Sequence, residues 1–234
     1  GTPLALQVGD LGHARAANHP RDEASFERDG AAFFARYLRG DRRAQVPRVK
    51  VFTQRCPRSA PSGGGPYRAR AWQDLARGTL TLTARRPQRV TAGGGDASLS
   101  QRLAPLALDA CRSLPAGVAP RTAVATTASP GVTLLGRTRV TARVRVRGRY
   151  AQLTGRLWDV ARGRQRLVDR AVVRLAGSGR LRFSLNGNGW RFARGHRIRL
   201  ELVGRDAPAY RPSNTSFSVT VRGLRAVLPT REDR

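Results

Sequence analysis

Residues 139–148 read RVTARVRVRG, and the fold turns on how this stretch is read. Val140, Ala142, Val144 and Val146 alternate with Arg139, Arg143, Arg145 and Arg147. Successive side chains of a β-strand point to opposite faces, so the pattern predicts a strand with one buried and one wet face. The same period recurs in RLRFSL (Leu181, Phe183, Leu185 inward), RIRLEL (Ile198, Leu200, Leu202 inward) and FSVTV (Phe217, Val219, Val221 inward). Half-buried strands joined by Gly-rich turns, with no helix between them, predict an antiparallel β-sandwich; a barrel is the other way to close such a sheet. No repeat on the order of 20 to 50 residues is visible, which argues against a propeller or solenoid.

Towards the N-terminus the signal changes. RVKVFTQ and GTLTLTA keep a period of two, but the Pro- and Gly-bearing stretch from 55 to 120 gives no regular pattern beyond a strand or two. Ahead of it, PLALQV is a short apolar run, followed by a loop and by RDEASFERDGAAFFARYLRG. There Phe26, Phe33, Phe34, Tyr37 and Leu38 fall at helical spacing and define one apolar face. Asp22, Glu23, Glu27 and Asp29 crowd the first half, Arg36 and Arg39 complement the dipole at the far end, and Gly40 supplies a stop. The chain is therefore expected to divide into a strand-loop-helix segment at 1–46, a connection at 47–120 and a sandwich at 121–234.

The 234 residues are enough to bury a core without metals. The formal charge is +29, and Lys50 is the only lysine among 44 basic residues. A GC-rich coding sequence accounts for arginine over lysine but not for an acid count of only 15. The expected consequence is a solvated Arg-rich surface, with a polyanion site as the alternative. The arginines of residues 139–149 are not interleaved with the stacking aromatics of a single-strand binder, so nucleic acid is not an expected partner. No run approaches the roughly 18 apolar residues of a membrane span. The chain shows no targeting leader and lacks methionine altogether, which suggests a processed, truncated or partial product. Cys56 and Cys111 lie in Pro- and Ser-bearing loops without C-x-x-C or His-rich spacing, so no metal site is expected. They fit one disulfide and an exported location, with two free thiols as the other reading.

The segments LWDVARG (157–163), GWRFARGHRIRLEL (189–202) and DAPAYRPSN (206–214) resemble the C-terminal jelly-roll domain of X-prolyl dipeptidyl aminopeptidases and CocE/NonD-type acyl hydrolases. TLLGRTRVTARVRVRG (133–148) is similar to that domain's opening strands. GDLGHARAANHP with AAFFARYLRG resembles the end of the α/β-hydrolase domain that precedes it. The resemblance implies a mainly β fold: a jelly-roll β-sandwich after a strand-loop-helix remnant of an α/β-hydrolase domain. It implies acyl transfer from an X-Pro peptide amide or an ester by a Ser-Asp-His triad, without cofactor or metal.

In that family the catalytic histidine follows the last core strand, the position His13 occupies. Chain order there is Ser, Asp, His, so serine and aspartate would come from an N-terminal catalytic domain acting as partner. No G-x-S-x-G occurs in this chain, and Ser62 and Ser178 sit in loop-like contexts. Asp10 is weighed as an orienting acid, although the family's acid comes from an earlier strand. His19, held extended by Pro20, is expected at the start of the helix. His196 is expected to be structural, and Trp158, Trp190, Phe192 and Tyr210 to serve packing rather than a sugar or prolyl platform. The rival function is a stand-alone sandwich that binds polyanions or carbohydrate.

Overall fold

A computed structural model describes residues 2–12, 18–103 and 111–233. In chain order the first elements are β1 (Leu6–Val8), α1 (Pro20–Leu38), β2 (Val49–Val51), β3 (Tyr67–Ala69), β4 (Gly78–Thr83), β5 (Gln88–Thr91) and α2 (Ala97–Leu103). There follow β6 (Leu114–Pro115), β7 (Ala123–Ala128), β8 (Val132–Gly136), β9 (Arg139–Gly148), β10 (Gln152–Ala161) and β11 (Arg164–Arg174). The last four are β12 (Gly179–Ser184), β13 (Asn188–Phe192), β14 (Arg197–Val203) and β15 (Phe217–Thr230).

Two sheets face each other, one ordered β6-β11-β10-β14-β7 and one β12-β9-β15-β8-β13 with β4 and β5 also paired to β15. Their inner faces supply the core, in which Leu134, Leu157, Phe192, Leu200, Val219 and Leu228 are fully buried. The alternation that predicted β9 holds: Val140, Ala142 and Val144 are buried while Arg139, Arg143, Arg145 and Arg147 are exposed. β15 spans 14 residues and organises the larger sheet, pairing with β9, β4, β5 and β8. The region 47–120, read as a connection with a strand or two, contains β2 to β6. Of these, β4 and β5 join the larger sheet, and β6 pairs with β11 of the smaller one.

The smaller sheet departs from the expected wet outer face. Arg156, Arg199 and Glu201 lie on β10 and β14 and are buried, at 0 %, 4 % and 1 % exposure. Their cover is α2, whose Leu99 and Leu103 form a second apolar cluster with Leu114, Trp158 and Leu167. Polar groups taken from water must find partners inside. Arg156 accordingly donates to Asp206 Oδ1 (2.5 Å) and Ser100 Oγ (2.6 Å), and Trp158 Nε1 donates to Glu201 Oε2 (3.1 Å).

Cys56 and Cys111 form a disulfide with Cα atoms 5.4 Å apart and a sequence separation of 55. In the chain-entropy account, closing a loop of that length removes roughly 4 kcal/mol of unfolded-state freedom.

Candidate functional site

β1 and β2 are parallel, with Leu6, Gln7 and Val8 opposite Val49, Lys50 and Val51, and α1 is the crossover between them. β3 closes one edge of this small sheet by antiparallel pairing with β2. Lys50 pins the helix to it. Its Nζ, 2 % exposed as a residue, donates to Asp29 Oδ2 (2.5 Å) and Ser25 Oγ (2.7 Å) and lies 5.9 Å from the Phe52 ring centroid. A compact ammonium suits this enclosed site better than a planar guanidinium, and the one lysine of an arginine-rich chain stands here. Ser25 is itself buried, so this Ser-Lys contact is a structural pin.

The start of α1 is fastened to the loop at 57–66. His19 is extended (φ −69°, ψ 114°), as Pro20 requires, and donates from Nδ1 to the Ala60 carbonyl (2.5 Å). Asp22 Oδ2 accepts the Gly63 N–H at 2.7 Å. Among the described residues His19 Nε2 is buried without a hydrogen-bond partner. Before it, Gly12 N–H donates to Asn18 Oδ1 (2.8 Å). His13 itself lies outside the described residues.

A cavity of about 480 Å³ opens at the C-terminal ends of β1 and β2, where open α/β sheets place their ligands. Asp10 and Phe52 approach it from just beyond β1 and β2, Trp72 from the segment after β3, Arg137 from the β8–β9 connection and Asn188 from the start of β13. Asn188 is fully engaged: its amide donates to Gln54 Oε1 and the Val168 carbonyl, and its oxygen accepts Gly189 N–H. Arg137 Nε donates to the Leu185 carbonyl (3.1 Å). Asp10 Oδ2, by contrast, is buried with no hydrogen-bond partner among the described residues. Ser62 and Ser178 remain in loops, where their hydroxyls accept Gly64 N–H and Val146 N–H.

Beside this cavity Asp169 accepts the Gly187 N–H (2.9 Å). Burial pushes its carboxyl up to about 6, against the lowering effect of the Gly187 and neighbouring N–H groups and of Arg137. The folded state thus holds this proton more tightly than the unfolded chain, so the associated stability is present in acid and is lost as pH rises through about 6. Asp169→Asn keeps the acceptor and removes the charge. It is expected to raise the melting temperature at pH 7.5 by roughly 2–4 °C, a change of about 1 kcal/mol, with the difference vanishing near pH 4. Thermal unfolding at the two pH values checks it.

Two of the three motifs behind the resemblance meet at one carboxylate. Asp159 Oδ1 accepts His196 Nδ1–H (2.8 Å) and Oδ2 accepts Trp190 Nε1–H (3.0 Å), so LWDV, GNGW and GHRIR are tied together. His196 therefore has the structural partner expected of it. Trp158, Trp190 and Phe192 are buried at 0 %, 5 % and 0 % exposure, which excludes them as an open platform, and Tyr210 lies under the Arg170 guanidinium at 5.8 Å. The Asp159 hub was missed at the level of sequence. Its signal is a carboxylate at an inward strand position, opposite Ile198 and directly beside a tryptophan. No group of three or more metal-binding side chains occurs among the described residues.

No protein-family model matches the chain, and no curated protein sequence does. Solved structures do. An aminopeptidase from a marine sediment Thaumarchaeota archaeon matches over 97 % of this chain with 12 % identity and a TM-score of 0.65. A CocE/NonD family hydrolase from Staphylococcus aureus matches over 97 % with 12 % identity and a TM-score of 0.63. An α-amino acid ester hydrolase matches over 97 % with 13 % identity and a TM-score of 0.57. The chain covers 49 %, 49 % and 50 % of these proteins, about half of each. It shares the fold of that half, a small βαβ unit followed by a β-sandwich.

Proposed function

We propose that the chain is the C-terminal part of an exported serine hydrolase of the X-Pro dipeptidyl-peptidase or CocE/NonD type, with the sandwich as its jelly-roll domain. The observation that carries this reading is an unfinished layer. β1 has one parallel neighbour and an open edge, and Leu4, Leu6 and Val8 are 82 %, 38 % and 40 % exposed. The apolar face of α1 is uncovered as well, with Phe26, Phe34, Tyr37 and Leu38 between 46 % and 77 % exposed. Parallel sheets occur almost only with both faces covered. A catalytic α/β domain continuing the sheet from β1 would satisfy that edge and that face together.

In this reading a serine and an aspartate on the partner domain complete the triad with His13. His13 takes the serine proton as the hydroxyl attacks an X-Pro amide or ester carbonyl, then returns it to the leaving group. The cavity is bordered by Gly9 and Asp10, shortly before His13 in the sequence, so in this reading the side chains of Phe52, Trp72 and Arg137 would border the acyl group. The disulfide supports the exported location.

The chain alone is expected to turn over neither an X-Pro p-nitroanilide nor a short p-nitrophenyl ester. Turnover abolished by His13→Ala would reveal a nucleophile within it. Coding sequence read in frame ahead of Gly1 is expected to contain G-x-S-x-G after a strand and a later aspartate, and their absence would overturn the proposal.

A further inference from the structure

The outer face of the larger sheet carries an arrangement that the hydrolase reading does not use. Arg180, Arg143 and Arg222 stand directly opposite one another on β12, β9 and β15. The next row outward is Arg182, Thr141 and Arg225, and on the other side Arg145, Thr220 and Arg89 align. Arg139 and Arg147 extend the β9 stripe at either end. β15 keeps Arg222 and Arg225 on one face, although they are three residues apart, by a register shift at Gly223 (φ 57°). An extra residue in one strand restores the side-chain parity that odd spacing would break.

Like charges directly across a ladder are destabilising, so this register carries a cost. Codon bias does not account for it. The strands β4, β5, β9, β12 and β15 contain no Asp or Glu at all. Elsewhere arginines are matched with acids: Arg156 with Asp206 and Glu201, and Arg191 with Glu232. Among the described residues the arginines of this face form no ion pair. Between them stand hydroxyls, Thr141, Thr220 and Ser218.

We infer that this face binds an anionic polysaccharide laid along β9. Guanidinium rows about 4.8 Å apart across strands and about 7 Å apart along them supply repeated bidentate donors for sulfate or carboxylate groups. The interleaved hydroxyls suit sugar hydroxyls. Nucleic acid is disfavoured because the strands present no aromatic on this face, and single-strand binders stack successive bases on several. One aromatic, Tyr150, 76 % exposed just beyond Gly148, can take one sugar ring. A planar anionic bilayer is disfavoured because the sheet's twist rotates successive strands away from a common plane. A flexible linear chain follows that twist. The Gly148 end of the platform lies at the opposite end of β9 from the 136–138 and 185–188 loops that border the cavity.

The probe is heparin, titrated against the whole chain between about 50 and 200 mM salt. Arg143→Ser/Arg145→Ser/Arg147→Ser is expected to weaken binding about 10- to 100-fold and to reduce the log–log salt slope by about 2–3. It should unfold no earlier than the parent, because like-charge repulsion is relieved. Arg39→Ser/Arg42→Ser/Arg43→Ser, an equal charge change after α1, is expected to weaken binding less than twofold. Equal losses in the two variants would overturn the inference, as would tighter binding of single-stranded DNA of matched charge or of phosphatidylserine vesicles.

Discussion

Arg156→Leu is expected to lower the unfolding free energy by about 3–5 kcal/mol, the cost of breaking a buried ion pair by removing one partner. The guanidinium is fully buried on β10, with Asp206 Oδ1 and Ser100 Oγ at 2.5 and 2.6 Å and Glu201 Oε2 at 3.7 Å. Asp206 is 1 % exposed and opens the segment that leads to β15, while Ser100 belongs to α2. One side chain therefore holds two covering elements against the sheet. Without it two carboxylates stay in a site closed to water, and the cover over Trp158 loses its anchor. Denaturant unfolding should show the midpoint falling with little change in slope. Arg156→Leu/Asp206→Leu should recover part of the loss, because an apolar pair of similar volume removes the stranded charge. A loss below about 1 kcal/mol for the single variant would mean that water reaches the site.

This network shows where sequence patterning was sufficient and where it was not. β9, β12 and β15 were legible because one face is wet, and a wet face writes arginine and threonine between the valines. β10 and β14 carry the same alternation, yet Arg199 and Glu201 are buried, because the cover comes from α2, about a hundred residues earlier in the chain. Periodicity states that a face is polar but not whether something packs on it. β4 was legible as the period-two GTLTLT, but β5 and the sheet to which both strands belong were not. Their partner β15 lies more than a hundred residues away, and periodicity does not say which strands pair.

α1 was legible as a helix from its spacing and its charge gradient. Its Phe26, Phe34 and Leu38 remain exposed in this chain, and no hydrophobic pattern could have told an uncovered face from a covered one. The Cys56–Cys111 pairing was open because it depends on two loops meeting in space. The resemblance motifs were readable in the sequence, whereas the contact by which two of them, LWDVARG and GWRFARGHRIRLEL, share Asp159 required the distances.

The second large effect concerns His13. If it is the general base, its replacement removes proton transfer from every turnover, and neither of the other two histidines is free to take its place. His19 donates from Nδ1 to the Ala60 carbonyl inside the fold, and His196 is held by Asp159 in the sandwich. The decisive measurement is steady-state hydrolysis of X-Pro p-nitroanilides and short p-nitrophenyl esters by the polypeptide that joins this chain to the in-frame sequence ahead of Gly1. The account predicts turnover by the joined protein, with His13→Ala lowering kcat by about 10⁴- to 10⁶-fold while KM stays within about threefold. Turnover by the joined protein that survives His13→Ala at a tenth or more of the parental rate would contradict it.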